Sequence, residues 1–159
     1  MSAGTRRSSP RGPESVRGNW LAGLAGGLVG SAASAALLVA FDPATLSAAV
    51  PAMYGLGPSN PAVGAVVLAA HGGVLGVGFA ALVGATDRSG APAGRQVGLG
   101  LAYGLLLWAA LGAVVVPVWL SAVGFEGASD VPALGRASPI GHAAYGAFLG
   151  ATYHALEEL

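Results

Sequence analysis

Four apolar stretches divide this chain, and its Asp, Glu and Arg residues all lie between them or at the chain ends. The first stretch lies between Arg17 and Asp42. A helix rises about 1.5 Å per residue and a bilayer core is about 30 Å thick, so each stretch is long enough to cross. The pattern predicts an all-α protein, a four-helix transmembrane bundle in residues 19–159, with spans at 19–41, 61–86, 96–123 and 138–156.

Prolines and aromatic residues add detail to these spans. Pro61 suits the first turn of the second helix, and Pro117 is expected to kink the third. Residues 43–56 are predicted to form a short interfacial helix on the outer surface, with Met53 and Tyr54 among the headgroups.

The arginines predict the orientation, because cytoplasmic loops and tails collect positive charge. Six arginines lie in the amino-terminal tail and in the loop between the second and third spans, and one lies on the other side: Arg6, Arg7, Arg11, Arg17, Arg88 and Arg95 against Arg136. Both termini are therefore predicted to be cytoplasmic in the cell membrane. Residues 1–18 are predicted to be a disordered, Arg-rich tail.

Two export signals are alternatives for the amino terminus. The apolar stretch at 19–41 exceeds the usual 7 to 15 residues of a cleaved signal peptide, which favours a retained span. Arg6 and Arg7 lie far from that stretch, which argues against a twin-arginine signal.

Composition supports the membrane assignment. The chain is 54% hydrophobic and 9% charged, whereas a soluble domain is roughly a quarter charged. Its net charge is zero and it has no lysine, so it lacks the basic surface that nucleic acid requires. The absence of cysteine excludes disulfides and thiolate metal sites.

Glycine pairs spaced four residues apart occur in every span and predict close helix packing, since small residues let membrane helices approach. The predicted packing residues are Gly23, Gly27, Gly72, Gly76, Gly100, Gly104, Gly146 and Gly150. The segment 23–28 also resembles 100–105, and a histidine-containing span follows each. Two tandem two-helix repeats, related by an axis along the membrane normal, would explain this match.

Few polar residues lie inside the spans, and such residues are functional candidates because they are costly in lipid. His142, Tyr145 and Tyr153 form a predicted polar stripe on one face of the fourth helix. His71 and His142 are candidate heme or metal ligands, or proton relays. The structural alternative, in which each ring bonds a neighbouring group, is favoured because the two histidines differ in depth by about 6 Å, which strains a shared heme, and because no carboxylate lies in any span to complete a proton relay.

No catalytic residue is predicted. Ser138 and His142 lie one helical turn apart, but no acid in that span could orient the imidazole. No metal site and no cofactor are predicted, with heme as the alternative.

The segments 103–108, 116–120 and 141–153 resemble a family of small four-helix membrane proteins, mainly haloarchaeal, with no assigned activity. The most specific match is H-x-x-Y-G-x-x-L-G-x-x-Y from His142 to Tyr153. The resemblance implies the fold and no activity. Some members carry the label histidine kinase, which the residues outside the spans are too few to support.

Three functional hypotheses follow. The first is a non-enzymatic membrane protein whose partners are the bilayer and either further copies or a larger complex. The second is heme or metal binding by His71 and His142. The third is a minimal transporter or channel, although no charged residue is predicted to line a pore.

Overall fold

A computed structural model describes residues 18–159, so the predicted tail, apart from Gly18, lies outside the described residues. The described chain is helical and has no strand, which confirms the all-α prediction. The elements are α1 (Trp20–Phe41), a π-helical segment (Thr45–Ala49), α2 (Val50–Ala52), α3 (Pro61–Ala85), α4 (Ala93–Leu107), a second π-helical segment (Trp108–Val115), α5 (Val116–Ala122) and α6 (Ala137–Leu156).

Three helices are long and apolar enough to cross a membrane. Trp20–Phe41, Pro61–Ala85 and the continuous helical stretch Ala93–Ala122 have mean hydropathies of 1.9, 2.1 and 2.2. The fourth predicted span corresponds to α6, which is 20 residues long but does not reach the hydropathy of the other three. The structure therefore shows three candidate spans where the sequence predicted four.

Asparagine side chains set where α1 and α3 begin. Asn19 Oδ1 accepts a hydrogen bond from Ala22 N at 3.1 Å, and Asn60 Oδ1 accepts one from Ala62 N at 2.9 Å. These bonds satisfy amide groups that have no partner within the first helical turn. The third predicted span begins earlier than expected, at Ala93 rather than Gln96.

Both π-helical segments lie just before a proline, Pro51 or Pro117. Because proline has no N–H, the carbonyl four residues earlier loses its usual helical donor. Loop amides replace that donor in both places: Asn60 N donates to Ser47 O at 2.8 Å, and Ala133 N donates to Ala113 O at 2.9 Å. Each proline thus helps to hold the loop that leads into the next long helix.

The long helices pack in the order α3, α1, α6, α4. The α1 backbone packs along both α3 and α6, and α4 packs along α6. The α3 and α4 backbones hardly approach each other, and side chains fill the space between them. The core consists of Ala22, Phe79, Ala80, Val83, Tyr145, Leu149 and Tyr153.

The predicted glycines lie where helix backbones meet. A Cβ atom on Gly27 would collide with the Gly72 carbonyl oxygen, and one on Gly100 would collide with the Gly146 carbonyl oxygen. In the α1–α3 pair, Gly23 also lies against Gly76. In the α4–α6 pair, Gly104 lies against His142 O and Gly150 lies against Gln96 O. Close approach in these two helix pairs therefore depends on the missing side chains.

Candidate functional site

His71 lies on α3 beside the segment that was predicted to be interfacial. Its Nε2 atom lies 2.6 Å from the Tyr54 hydroxyl oxygen, and the two rings are 5.6 Å apart. Tyr54 also packs on Trp119, with ring centroids 6.1 Å apart, and Trp119 Nε1 donates to Met53 O at 2.9 Å. The His71 ring thus belongs to an aromatic cluster that joins residues 53–54 to α3 and α5.

His142 lies on α6 in different surroundings. Its Nδ1 atom lies 2.9 Å from the Ser138 carbonyl oxygen, which can only accept, so Nδ1 carries the hydrogen. A Cβ atom on Gly112 would lie 3.1 Å from His142 Cε1, Ser138 Oγ and Trp108 Cδ1. The hydrogen bond is within α6, one turn back, and does not join two helices.

The two candidate ligands are not brought together by any contact in the described chain. Each ring has its own partner, and α3 and α6 are not neighbouring helices by backbone contact. Gly72 on α3 and Gly146 on α6 make equivalent contacts with glycines of their partner helices. When α3 and α6 are aligned on these two glycines, His71 matches Tyr145, and His142 matches Leu68. The two histidines therefore occupy non-equivalent places in the two helix pairs.

The predicted stripe on α6 points into the bundle at its two tyrosines, which are buried. Tyr145 donates to Gly72 O at 2.8 Å, and the Tyr153 oxygen accepts from Asn19 N at 3.3 Å. The Tyr153 ring meets Phe79 edge-on at 5.5 Å. These hydroxyl groups have partners at α3 and at the start of α1, as expected for a stripe that points into the bundle.

A second polar cluster was not predicted from the sequence. It lies at the end of the bundle where α1 begins and α6 ends, which we call the terminal end. Its members, which we call the terminal clasp, are Asn19, Gly90, Gln96, His154 and Glu157. Together they join α1, α4, α6 and the loop between α3 and α4.

Glu157 is the centre of the terminal clasp, with a side chain only 4% exposed. Its Oε2 atom accepts from Gly90 N at 3.0 Å and from Gln96 Nε2 at 3.2 Å. His154 Nδ1 lies 3.4 Å from Oε1 without hydrogen-bond geometry. The carboxylate therefore holds the loop and α4 against the last turn of α6.

Gln96 and Asn19 complete the clasp. Fully buried Gln96 also donates to Arg88 O at 3.1 Å, while its Oε1 atom has no partner. Asn19 Nδ2 donates to Leu156 O and Glu157 O, each at 3.3 Å. One signal in the sequence could have indicated this cluster: Gln96 is a costly amide at the edge of an apolar stretch.

The end opposite the clasp has an open cavity of about 350 Å³. It lies between the α2 region and the loop after α5, and its lining carries few polar groups. The lining residues are Ala48, Ala52, Gly55, Leu56, Gly57, Ser59, Val123, Gly124 and Phe125. Within residues 18–159, no three His, Cys, Asp or Glu side chains are placed to hold a metal ion.

No protein-family model, curated protein or solved structure matches this chain.

We expect the purified protein to be colourless, with no Soret band. A heme iron would have to displace Tyr54 from His71 Nε2, and it would still lack a second histidine in contact. His142→Ala is expected to lower stability by less than about 0.6 kcal/mol, the average for an interhelical membrane hydrogen bond, because its bond is within one helix. Absorption spectra and detergent unfolding of both forms test this. A Soret band that disappears in His142→Ala would contradict it.

Proposed function

We propose that this chain is a non-enzymatic, multi-pass protein of the cell membrane that acts through helix packing, as a homo-oligomer. It crosses the bilayer with four helices arranged as two tandem two-helix units, and both termini are cytoplasmic. The resemblance to the haloarchaeal four-helix family is part of this proposal. The alternative form of this proposal is an accessory subunit of a larger complex, in which the chain packs against a different protein.

The position of α6 supports its role as the fourth span. Its 20 residues cover about 30 Å at 1.5 Å per residue, the thickness of a bilayer core. Gly141, near its start, accepts from Ser34 Oγ at 2.7 Å, and Glu157, at its end, lies beside Asn19. This helix therefore runs along α1, which is itself a candidate span.

Inward-facing polar groups explain the lower hydropathy of α6. Tyr145 and Tyr153 are buried, whereas Ile140 and Phe148 are more than half exposed and would face lipid. The terminal end carries Arg88 in the loop between α3 and α4 and Arg95 in the first turn of α4, so the arginine bias supports a cytoplasmic position for this end.

The observation that carries the oligomer proposal is how little of the third span is covered. Ala93–Ala122 is the longest and most apolar candidate span, yet 17% of its apolar window is buried, against 28% and 33% for the other two. Gly94 and Gly98 on its outer face have nothing near their missing Cβ atoms. Glycine in a helix costs about 1 kcal/mol relative to alanine, and facing lipid gives no compensating contact. A second copy packed on this face would provide that contact.

Cross-linking in membranes tests this proposal, because the chain has no native cysteine. We expect Ala102→Cys, on the exposed face of α4, to form disulfide-linked dimers. Ala36→Cys, exposed on α1, is the matched control and is expected to stay monomeric. Adding Gly98→Leu to Ala102→Cys is expected to reduce the dimer strongly, because the larger side chain separates the helices.

Equal cross-linking at both positions would show that the dimers form by random collision and would contradict the proposed interface. A monomer at every concentration, captured with no other chain, would overturn the helix-packing function itself. A cross-linked band with a different protein would favour the accessory-subunit variant.

A further inference from the structure

The two glycine-packed helix pairs, α1 with α3 and α4 with α6, meet each other along two unlike sides. Gly27 faces Gly72 and Gly76 in one pair, and Gly100 faces Gly146 and Gly150 in the other. By these contacts Gly27 corresponds to Gly100. The sequence match of 23–28 with 100–105 had instead aligned Gly23 with Gly100, which is one helical turn away. If the pairs were related by an exact two-fold axis, the α1–α6 side and the α3–α4 side would be equivalent.

The α1–α6 side is packed backbone to backbone. A Cβ atom on Gly26 would lie 2.9 Å from Leu149 O, and one on Gly30 would lie 2.6 Å from Tyr145 O. Ser34 Oγ donates to Gly141 O at 2.7 Å in a buried hydrogen bond. Contacts of this kind leave no space for the helices to slide or tilt without losing them.

The α3–α4 side is filled by side chains. Tyr103 donates to Leu75 O at 2.9 Å, and its ring lies 5.5 Å from that of Phe79. The Tyr103 hydroxyl also covers Gly78, at 3.1 Å from its missing Cβ position. Because the backbones hardly approach here, side-chain contacts hold this side together, along with the Tyr145 bond to Gly72 O and the Phe79–Tyr153 ring contact, which reach α3 from α6.

The two ends of this side are held with different strength. At the terminal end, a short loop joins α3 to α4, and buried Gln96 and Glu157 hold that loop in place. At the opposite end, the exposed bond from Trp119 Nε1 to Met53 O and the ring contact of Trp119 with Tyr54 join the two halves. The terminal connection includes the fully buried Gln96 side chain, whereas the Trp119 bond at the opposite end is exposed, so the second connection loses less on opening.

From this asymmetry we propose that the α3–α4 side is a lateral seam that opens from the end opposite the terminal clasp, while the two helix pairs pivot about the α1–α6 contact. The seam consists of Leu75, Phe79 and Tyr103, and Trp119 is its latch. Opening exposes the Leu75 carbonyl and the Tyr103 hydroxyl toward the membrane. The inference rests on bilayer insertion and is independent of self-association.

Spin-label distances in nanodiscs test the seam. One doubly labelled chain carries cysteines at Val66 and Val118, which are exposed at the opposite end on α3 and α5. The matched control carries them at Val39 and Ile140, which are exposed on α1 and α6 at the same end. Dilution with unlabelled protein removes distances between copies, so an oligomer does not affect the result, and failure to incorporate into nanodiscs would count against membrane insertion instead.

We expect a second, longer-distance population for Val66 and Val118, and a single narrow population for Val39 and Ile140. Trp119→Phe removes the latch hydrogen bond at an exposed position and is expected to increase the longer population in the first pair only. A single narrow distribution in both pairs that Trp119→Phe does not change would overturn the seam. Equal broadening in both pairs would also overturn it, because it would show general loosening.

Discussion

Replacing Gly27 by valine is expected to prevent α1 and α3 from packing. A Cβ atom at this position would collide with the Gly72 carbonyl oxygen and lie 3.1 Å from Gly76 Cα, and these backbone atoms cannot rotate away. Overpacking of side chains costs about 1 to 3 kcal/mol, so a clash with backbone is expected to exceed about 3 kcal/mol. Detergent unfolding of the purified variant, monitored by near-ultraviolet circular dichroism, would measure the loss.

The matched control is Gly98→Val, which makes the same change on α4 at a position where nothing lies within 4 Å of the added Cβ atom. The monomer is expected to keep its fold in this variant. If the two substitutions lowered the free energy of unfolding equally, the cause would be helix propensity, and the close approach of α1 and α3 would not explain the effect.

Glu157→Ala is expected to destabilise the terminal end by about 3 kcal/mol. The change leaves Gly90 N without its acceptor and leaves Gln96 with Arg88 O alone. Hydrogen bonds to a charged group contribute about 1.5 to 3 kcal/mol each. The bond from Gln96 is partly buried and the bond from Gly90 N is exposed, so most of the loss is expected from Gln96. Hydrogen exchange of the loop at residues 86–92 is expected to accelerate in parallel with the loss of global stability.

Two variants show whether the carboxylate itself is responsible. Glu157→Gln keeps an acceptor oxygen and is expected to lose less than the alanine variant. Glu158→Ala removes the neighbouring exposed acid and is expected to change stability little. Equal losses at residues 157 and 158 would contradict the clasp, because they would reflect the charge of the carboxyl terminus and no specific bond.

The sequence alone determined the helices. Uncharged apolar stretches longer than 20 residues predict helices long enough to cross a membrane, and Asn60 followed by Pro61 gives a defined helix start. The positions of the glycines were also readable, because spacing by four places them on one helical face. These features depend on local conformation and on hydrophobicity, and both follow directly from the order of the residues.

Tertiary structure decided the pairing of those faces. Spacing cannot give a register between helices, and low-complexity sequence offers several matches, so Gly27 corresponds to Gly100 although the sequence match had aligned Gly23 with it. The sequence likewise could not predict that Tyr54 is the partner of His71. Tyr54 comes from a segment whose path depends on the bond from Asn60 N to Ser47 O, the carbonyl that Pro51 leaves without a helical donor.

The terminal clasp shows the same division most clearly. Glu157 stands at a helix end, where a solvated carboxylate is the ordinary expectation, and its burial appears only when three distant parts of the chain meet. These parts are residue 19, residues 90–96 and residue 157, and long stretches of sequence separate them. Desolvation of a carboxylate depends on everything that surrounds it in space, so only the packed bundle could place this group at the centre of the clasp.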